Sequence, residues 1–379
     1  MSIVDTPERR QLRELTRDFV TREVRPHLAD WERAGEVPRD LHRTAARIGL
    51  LGVGFPEAVG GSGGDLLDSI VVTEELIRAG GSSGLVAALF THGIALPHMI
   101  STTDPDLIDR YVRPTLAGEK IGALAITEPD GGSDVAGIRT HARRDGDHYV
   151  VNGAKTYITS GCRADFVTTA VCAHAPRTGD LTLLVIDKGT PGFTVGRRLE
   201  KLGWHCSDTA ELSFSDVRVP VANRIGPEDT AFLAIMQHFA GERLSLATQA
   251  YATALRCVEL TVDWCRTRNT FGRPLASRQL VRHRIAEMAT RAEAARCLVH
   301  EVATRVAAGQ PVVTEVAMAK NVAVAACDWV VDQAVQLHGG FGCLRDAEVE
   351  RHYRDARILG IGGGTTEIMN EIIAKGLGV

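Results

Sequence analysis

The chain has 379 residues, 44% hydrophobic and 24% charged, which excludes disordered and fibrous classes and exceeds what one ordinary core accommodates. Its formal net charge of −4 leaves no cationic footprint for nucleic acid or an anionic membrane. Eight cysteines without a C-x-x-C pair read as reduced core residues, not as a disulfide framework or a metal site, and no metal is expected.

The opening MSIVDTPERRQL has no apolar core of a secretory leader, so a cytoplasmic location is expected. The best candidate for a membrane span, near Val312–Val331, is broken by Glu315, Lys320, Asn321 and Asp328, so no span is expected.

Residues 1–118 read as helices punctuated by glycine. Asp5 or Thr6 can cap the first helix, Pro7 suits its first turn, and Leu12, Leu15, Phe19 and Val20 form its apolar stripe. A second helix is predicted over Pro38–Ile48, a loop over Gly52–Gly64, and a third helix over Ser69–Ala79. After Gly80-Gly81 comes a short apolar run, Leu85–Phe90, and then His92, read as a satisfied buried histidine.

From about 119 to 227 the period changes to two. Asp145-Gly146 and Asn152-Gly153 are turn pairs tolerant of positive φ, and Tyr149, Val151, Tyr157 and Thr159 recur at strand spacing. Phe166–Val171, Leu181–Ile186 and Leu212–Val219 read as strands. From 228 to 379 the helical period returns. A long helix over Thr230–Arg266 and further helices near 277–308, 312–337, 346–357 and 365–375 suggest an antiparallel bundle.

Three stretches carry polar chemistry. Thr127-Glu128-Pro129-Asp130-Gly131-Gly132-Ser133-Asp134 has no hydrophobic period, leaving N–H groups and hydroxyls for a polar ligand, although on its own it reads rather as a surface loop capping a hairpin. Arg268-Asn269-Thr270-Phe271-Gly272 joins a fixed cation, a hydroxyl and an apolar ring. Gln336-Leu337-His338-Gly339-Gly340-Phe341-Gly342, followed by Asp346, Arg351 and Asp355, permits close backbone approach, although H-G-G-F-G alone is a helix stop. No G-K-[ST] follows it, so it is not a P-loop.

The first and third stretches resemble the two signatures of the acyl-CoA dehydrogenases, with Cys343 standing where a larger side chain is usual. The similarity covers essentially the whole chain. It implies an α+β multidomain fold: an N-terminal helical domain (1–118), a central β-barrel or sandwich domain (119–227) and a C-terminal four-helix bundle (228–379). It implies FAD between the β-domain and the bundle. Thr127 and Ser133 would face the flavin and the substrate head, and Tyr157 and Thr159 would lie along the isoalloxazine. Arg268, Thr270 and Phe271 would reach the FAD of a neighbouring subunit, with Gln279, Gln336, Gly339 and Gly340 toward its adenosine half. Thr365 and Glu367 fall at further FAD-contact positions. The expected assembly is a homotetramer.

Oxidising an acyl thioester between Cα and Cβ needs a carboxylate at Cα and donors at the thioester oxygen. Many family members carry that Glu in a C-terminal loop, where this chain has Gly363 in Ile361-Gly362-Gly363-Gly364-Thr365-Thr366-Glu367. A subset resembling the long-chain and isovaleryl acyl-CoA dehydrogenases carries it on the first long bundle helix, before an arginine. Gly241-Glu242-Arg243-Leu244 matches that pattern. The resemblance therefore assigns Glu242 as base, Gly363 as room beside it and Arg243 as a substrate-binding or organising residue. The implied reaction converts an acyl-CoA to a trans-2-enoyl-CoA, electrons passing to an electron-transfer flavoprotein. Alternatives are a dehydrogenase of carrier-protein-bound acyl groups, a flavin monooxygenase of the same fold, or a non-catalytic subunit.

Overall fold

A computed structural model describes residues 6–173 and 180–379. Among the described residues, the first part of the chain includes helices α1 (Pro7–Phe19), α2 (Leu28–Ala34), α3 (Arg39–Arg47), α4 (Leu66–Arg78), α5 (Ser83–Leu89), α6 (His92–Ala95), α7 (Pro97–Thr102), α8 (Pro105–Leu107) and α9 (Arg113–Leu116). Thr6 caps α1, its hydroxyl accepting the Arg9 N–H at 3.3 Å, and Pro7 occupies the first turn, where no N–H is required. Asp5, the other candidate cap, lies outside the described residues. The α1 stripe is narrower than its spacing suggests: Phe19 and Val20 are buried, whereas Leu15 is exposed.

α4 begins three residues before the expected Ser69. Asp65 accepts the N–H groups of Leu67 and Asp68 while the Asp68 carboxylate takes the Asp65 N–H, a reciprocal cap that fixes the start at Leu66. The apolar run Leu85–Phe90 is mostly helix, because Ser82 caps α5 through the Leu85 N–H.

The middle of the chain forms a sheet of β1 (Gly122–Ala125), β2 (His141–Asp145), β3 (His148–Thr159), β4 (Phe166–Cys172), β5 (Leu181–Asp187), β6 (Phe193–Arg198), β7 (Thr209–Pro220) and β8 (Arg224–Ile225). Its order is β6-β7-β3-β2-β4-β5-β8, with β1 alongside β4. β2 and β3 form the hairpin expected at Asp145-Gly146. Asn152-Gly153 is not a turn. It lies inside β3, where the β7 register shifts between Val151 and Gly153. Gly153 has φ +147°, and a Cβ there would meet Thr140 Oγ1 at 2.5 Å, so the glycine serves a bulge under close backbone packing. β4 and β5 are almost wholly buried, as their continuous apolar runs require.

The last third comprises α10 (Ala231–Thr267), a small hairpin of β9 (Asn269–Thr270) and β10 (Arg273–Pro274), then α11 (Gln279–Ala307), α12 (Val313–His338), α13 (Glu348–Ala356) and α14 (Thr366–Leu377). One apolar core runs from α1 and α4 through α10, α11 and α12. A second joins α7–α9, β4, β5 and the first turns of α10; a third fills the other face of the sheet.

The three parts of the chain meet at Asp355. Its carboxylate, fully buried on α13, accepts the Trp204 N–H at 2.6 Å from the β6–β7 connection and the Gly84 N–H at 3.3 Å from α5. Trp204 Nε1 also donates to Ser83 Oγ at 2.9 Å. Among the described residues no single helix is long and apolar enough to cross a membrane.

Candidate active site

Glu242 lies in the first third of α10 and Gly363 in the loop before α14. A Cβ built on Gly363 would stand 3.5 Å from Glu242 Oε1 and 2.8 Å from Leu246 Cδ1. The two positions therefore address the same space from two sides. Burial raises the Glu242 carboxyl above the ordinary carboxylate range, against the lowering influence of the Lys320 and Arg243 cations. Glu242 is therefore not placed as a solvated helix residue would be.

The loop carrying Gly363 has little but main chain to grip. Arg243 Nε donates to the Gly363 carbonyl at 3.2 Å, and Lys320, buried on α12, donates to the carbonyls of Gly362 and Gly364. Gly363 and Gly364 have φ of +64° and +97°, which favours glycine at both. Thr365 caps α14 through the Ile368 N–H at 3.3 Å, and Glu367 is exposed in the first turn.

The Thr127–Ser133 loop is anchored by a residue whose role its sequence does not reveal. Glu128 is buried, accepting the N–H groups of Arg139 at 2.7 Å and Thr140 at 2.8 Å and pairing with Lys155 at 2.9 Å. Lys155, wholly buried on β3, also donates to the Ile126 carbonyl at 2.9 Å. The Thr156 N–H donates to the Thr127 carbonyl at 2.9 Å, bringing the polar loop beside Tyr157 and Thr159. Tyr157 sits at a second β3 bulge with φ +59° and leaves 70% of its surface exposed, a bare aromatic beside half-buried Thr159. Ser133 is exposed at the loop's far end.

A second cluster forms at the other end of α10. Arg268 lies 5.8 Å over the Trp264 ring, and Trp264 stacks on Phe341 at 5.0 Å and 6°. That stack brings the Arg268 hairpin to the Gln336–Gly340 turn. Arg278 donates to the Thr270 carbonyl at 2.8 Å and lies 5.3 Å over Phe271. Phe271 is 96% exposed, so within one protomer it is no floor for anything. Gln279 and Gln336 are exposed too. A Cβ on Gly339 or Gly340 would meet nothing within 4 Å, leaving the backbone there open to close approach. The 26 residues from Glu242 to Arg268 along the helix put the two clusters roughly 40 Å apart, at 1.5 Å rise per residue.

Several of these residues escaped sequence reasoning. Trp264, Glu128 and Lys155 act through partners distant in sequence. Lys320 left a faint signal, one cation in the small-residue run Val316–Ala326. His92 is buried and bonded to the Leu51 carbonyl at 2.9 Å, as expected of a satisfied core histidine.

Comparison with known proteins fits this architecture. The N-terminal, middle and C-terminal domain families of acyl-CoA dehydrogenase match residues 6–119, 123–217 and 232–378. The chain is 38% identical over 367 residues to the mitochondrial long-chain specific acyl-CoA dehydrogenase of Sus scrofa, covering 96% of this chain and 85% of that protein. It is 62% identical to a crystal structure of a probable acyl-CoA dehydrogenase from Mycobacterium abscessus, with a TM-score of 0.98 over 99% of this chain and 100% of that one. It is also 31% identical, TM-score 0.93, to a chain in a structure of the electron transferring flavoprotein of Acidaminococcus fermentans, covering 100% and 99% of the two chains.

The fold and the paired clusters define a flavoprotein oxidoreductase. The chain belongs to the acyl-CoA dehydrogenase family: its cofactor is FAD and it acts on acyl-CoA. The residues present fit that cofactor. Tyr157 offers an uncovered ring beside hydroxyls and free turns, and Gly339 and Gly340 offer backbone without side chains.

Proposed function

We propose that this protein catalyses α,β-dehydrogenation of an acyl-CoA to the trans-2-enoyl-CoA, with Glu242 taking the α-proton. The observation that carries this reading is the 3.5 Å approach of Glu242 Oε1 to the Cβ position of Gly363. A carboxylate supplied from α10 fills the place that a glutamate in the loop would otherwise address. Burial raises its proton affinity, and Arg243 and Lys320 limit that rise.

Gly363 has a second task. Its N–H donates to no acceptor among the described residues, so it is free to receive the thioester oxygen as negative charge develops there. Arg243 steadies the same loop from α10. Thr127, Ser133, Tyr157, Thr159, Thr365 and Glu367 are the residues we assign to the flavin end of FAD. Bound there, FAD supplies the acceptor for hydride from the substrate Cβ.

Arg268, Thr270, Phe271, Gln279, Gln336, Gly339 and Gly340 we assign to the FAD of a neighbouring subunit. The length of α10 between the clusters supports this, because one dinucleotide does not bridge roughly 40 Å. A homotetramer is the assembly proposed, and an electron-transfer flavoprotein the acceptor, the latter supported by the Acidaminococcus fermentans similarity.

The test is anaerobic titration of the FAD-loaded protein with straight, branched and aromatic acyl-CoAs, reading flavin absorbance. Bleaching by one of them is expected and names the substrate class. Bleaching only by carrier-protein thioesters would replace CoA by a carrier protein. No bleaching by either would refute the dehydrogenase reading.

A further inference from the structure

Lys320 is buried at 1% relative exposure, and among the described residues no carboxylate lies within ion-pair distance of its Nζ. A buried ammonium without a carboxylate is costly unless its donors are used. Here they go to main chain: Nζ donates to the carbonyls of Gly362 and Gly364, the residues flanking Gly363. The charged groups facing Lys320 are Glu242 and Arg243, both on α10.

The consequence follows from peptide geometry. In a trans peptide the C=O and the following N–H point in opposite directions. With the Gly362 carbonyl drawn toward Lys320, the Gly363 N–H is turned away from α12. Drawing electron density into that carbonyl also makes its N–H a stronger donor, because hydrogen bonds in series polarise one another. That N–H has no acceptor among the described residues, and it belongs to the residue against which Glu242 rests. No side chain in the Gly362–Gly364 run could set this orientation, so it has to come from outside the loop.

We propose that Lys320 is a positioning residue: by binding the Gly362 and Gly364 carbonyls it aims and polarises the Gly363 N–H as the donor for the substrate's thioester oxygen. This rests on the dehydrogenase reading above and adds to it a residue that touches neither substrate nor flavin.

The experiment uses FAD-loaded protein and a chromophoric 3-aryl-acryloyl-CoA, whose absorption moves to the red when its carbonyl is polarised. Wild type should bind it with a red shift. Lys320→Met should still bind FAD and the ligand, lose most of the red shift, and reduce flavin about 10- to 100-fold more slowly with the best acyl-CoA, less than deleting an oxyanion donor outright costs. Lys320→Arg, which keeps donors and charge, should recover part of both. An unchanged red shift in a folded Lys320→Met protein would overturn the proposal. If Lys320→Met fails to fold, wild type decides: Lys320 gives up its proton at about 8, so the red shift should fall as pH rises through that value. A red shift constant from pH 6.5 to 9.5 would then overturn it. Glu242→Gln separates the two ideas, since it should keep the full red shift while abolishing bleaching. Bleaching that survives there would sink the base assignment and leave Lys320 standing.

Discussion

Glu242 and Gly363 face each other across the gap between α10 and the loop before α14. The carboxylate oxygen of one lies 3.5 Å from where a side chain on the other would begin. On the reading proposed above, the chain leaves one of two seats for a base empty and occupies the other. Leu246, one turn beyond Glu242, closes the empty seat, its Cδ1 2.8 Å from that same Cβ position.

Glu242→Gln removes the carboxylate proposed as base with little change in volume. It should retain FAD and bind enoyl-CoA, while anaerobic flavin reduction by the best acyl-CoA falls about 1,000-fold or more, the share a positioned general base usually supplies. In wild type the reduction rate should rise with pH as Glu242 ionises, with a midpoint above the ordinary 4.5, because burial favours its neutral form. Reduction in the variant within tenfold of wild type would show that another group takes the proton.

Moving the carboxylate should work poorly without a second change. In Glu242→Gly/Gly363→Glu the new side chain starts from φ +64°, a strain of about 1–2 kcal/mol for an L-residue, and meets Leu246. Little turnover is expected. Adding Leu246→Ala should raise it, by making room for a glutamate at 363. A triple variant that folds, holds FAD and is no faster than the double would show that the two seats are not equivalent.

Acid should destabilise the fold before most carboxylates protonate. Burial depresses His42 to about 3 and His92 and His98 to about 4, from 6.5 in the unfolded chain. Below pH 6.5 the unfolded state binds protons that the folded state refuses, so stability present above that pH is lost as pH falls. For the three together the loss between pH 7 and 5.5 is about 3–4 kcal/mol. Urea unfolding at the two pH values would reveal it, and a midpoint that does not move would contradict the burial of these rings.

The exposed hairpin at the end of α10 offers a test of assembly. Phe271→Ala removes a ring that is 96% exposed in the protomer, so it should not weaken the protomer's own packing. It should nevertheless lower the oligomer's dissociation midpoint, and Arg268→Ala should lower FAD retention and loosen the oligomer together. Sedimentation and flavin content, measured on the same samples, would show whether the two losses are linked. Loss of FAD from an intact oligomer would separate the sites.

The sequence made the three-part order legible because each third has its own period, and it pointed to Glu242 and Gly363 together, which the structure brings to one space. Asn152-Gly153 misled, since the same pair that closes a hairpin also suits a bulge, and only the neighbour strand's register distinguishes them. Glu128 looked like a ligand-loop residue, yet its partners are Lys155 on β3 and Thr140 just before β2, whose approach cannot be read from local pattern. Lys320 read merely as a break in an apolar run, because its partners are carbonyls, which every residue has. Trp264 lies on α10 and Phe341 in the turn after α12, and only their packing reveals the stack that joins two motifs.

Asp355 has a consequence for how the molecule melts. Removing either segment that donates to it, α5 or the β6–β7 connection, would leave a buried carboxylate with an unmatched lone pair, and losing the helices at either end would open the core shared from α1 to α12. The three sequence domains are therefore expected to open together as one cooperative unit. Heat should dissolve the protomer in a single step, and the middle segment cut out alone should not hold its native shape.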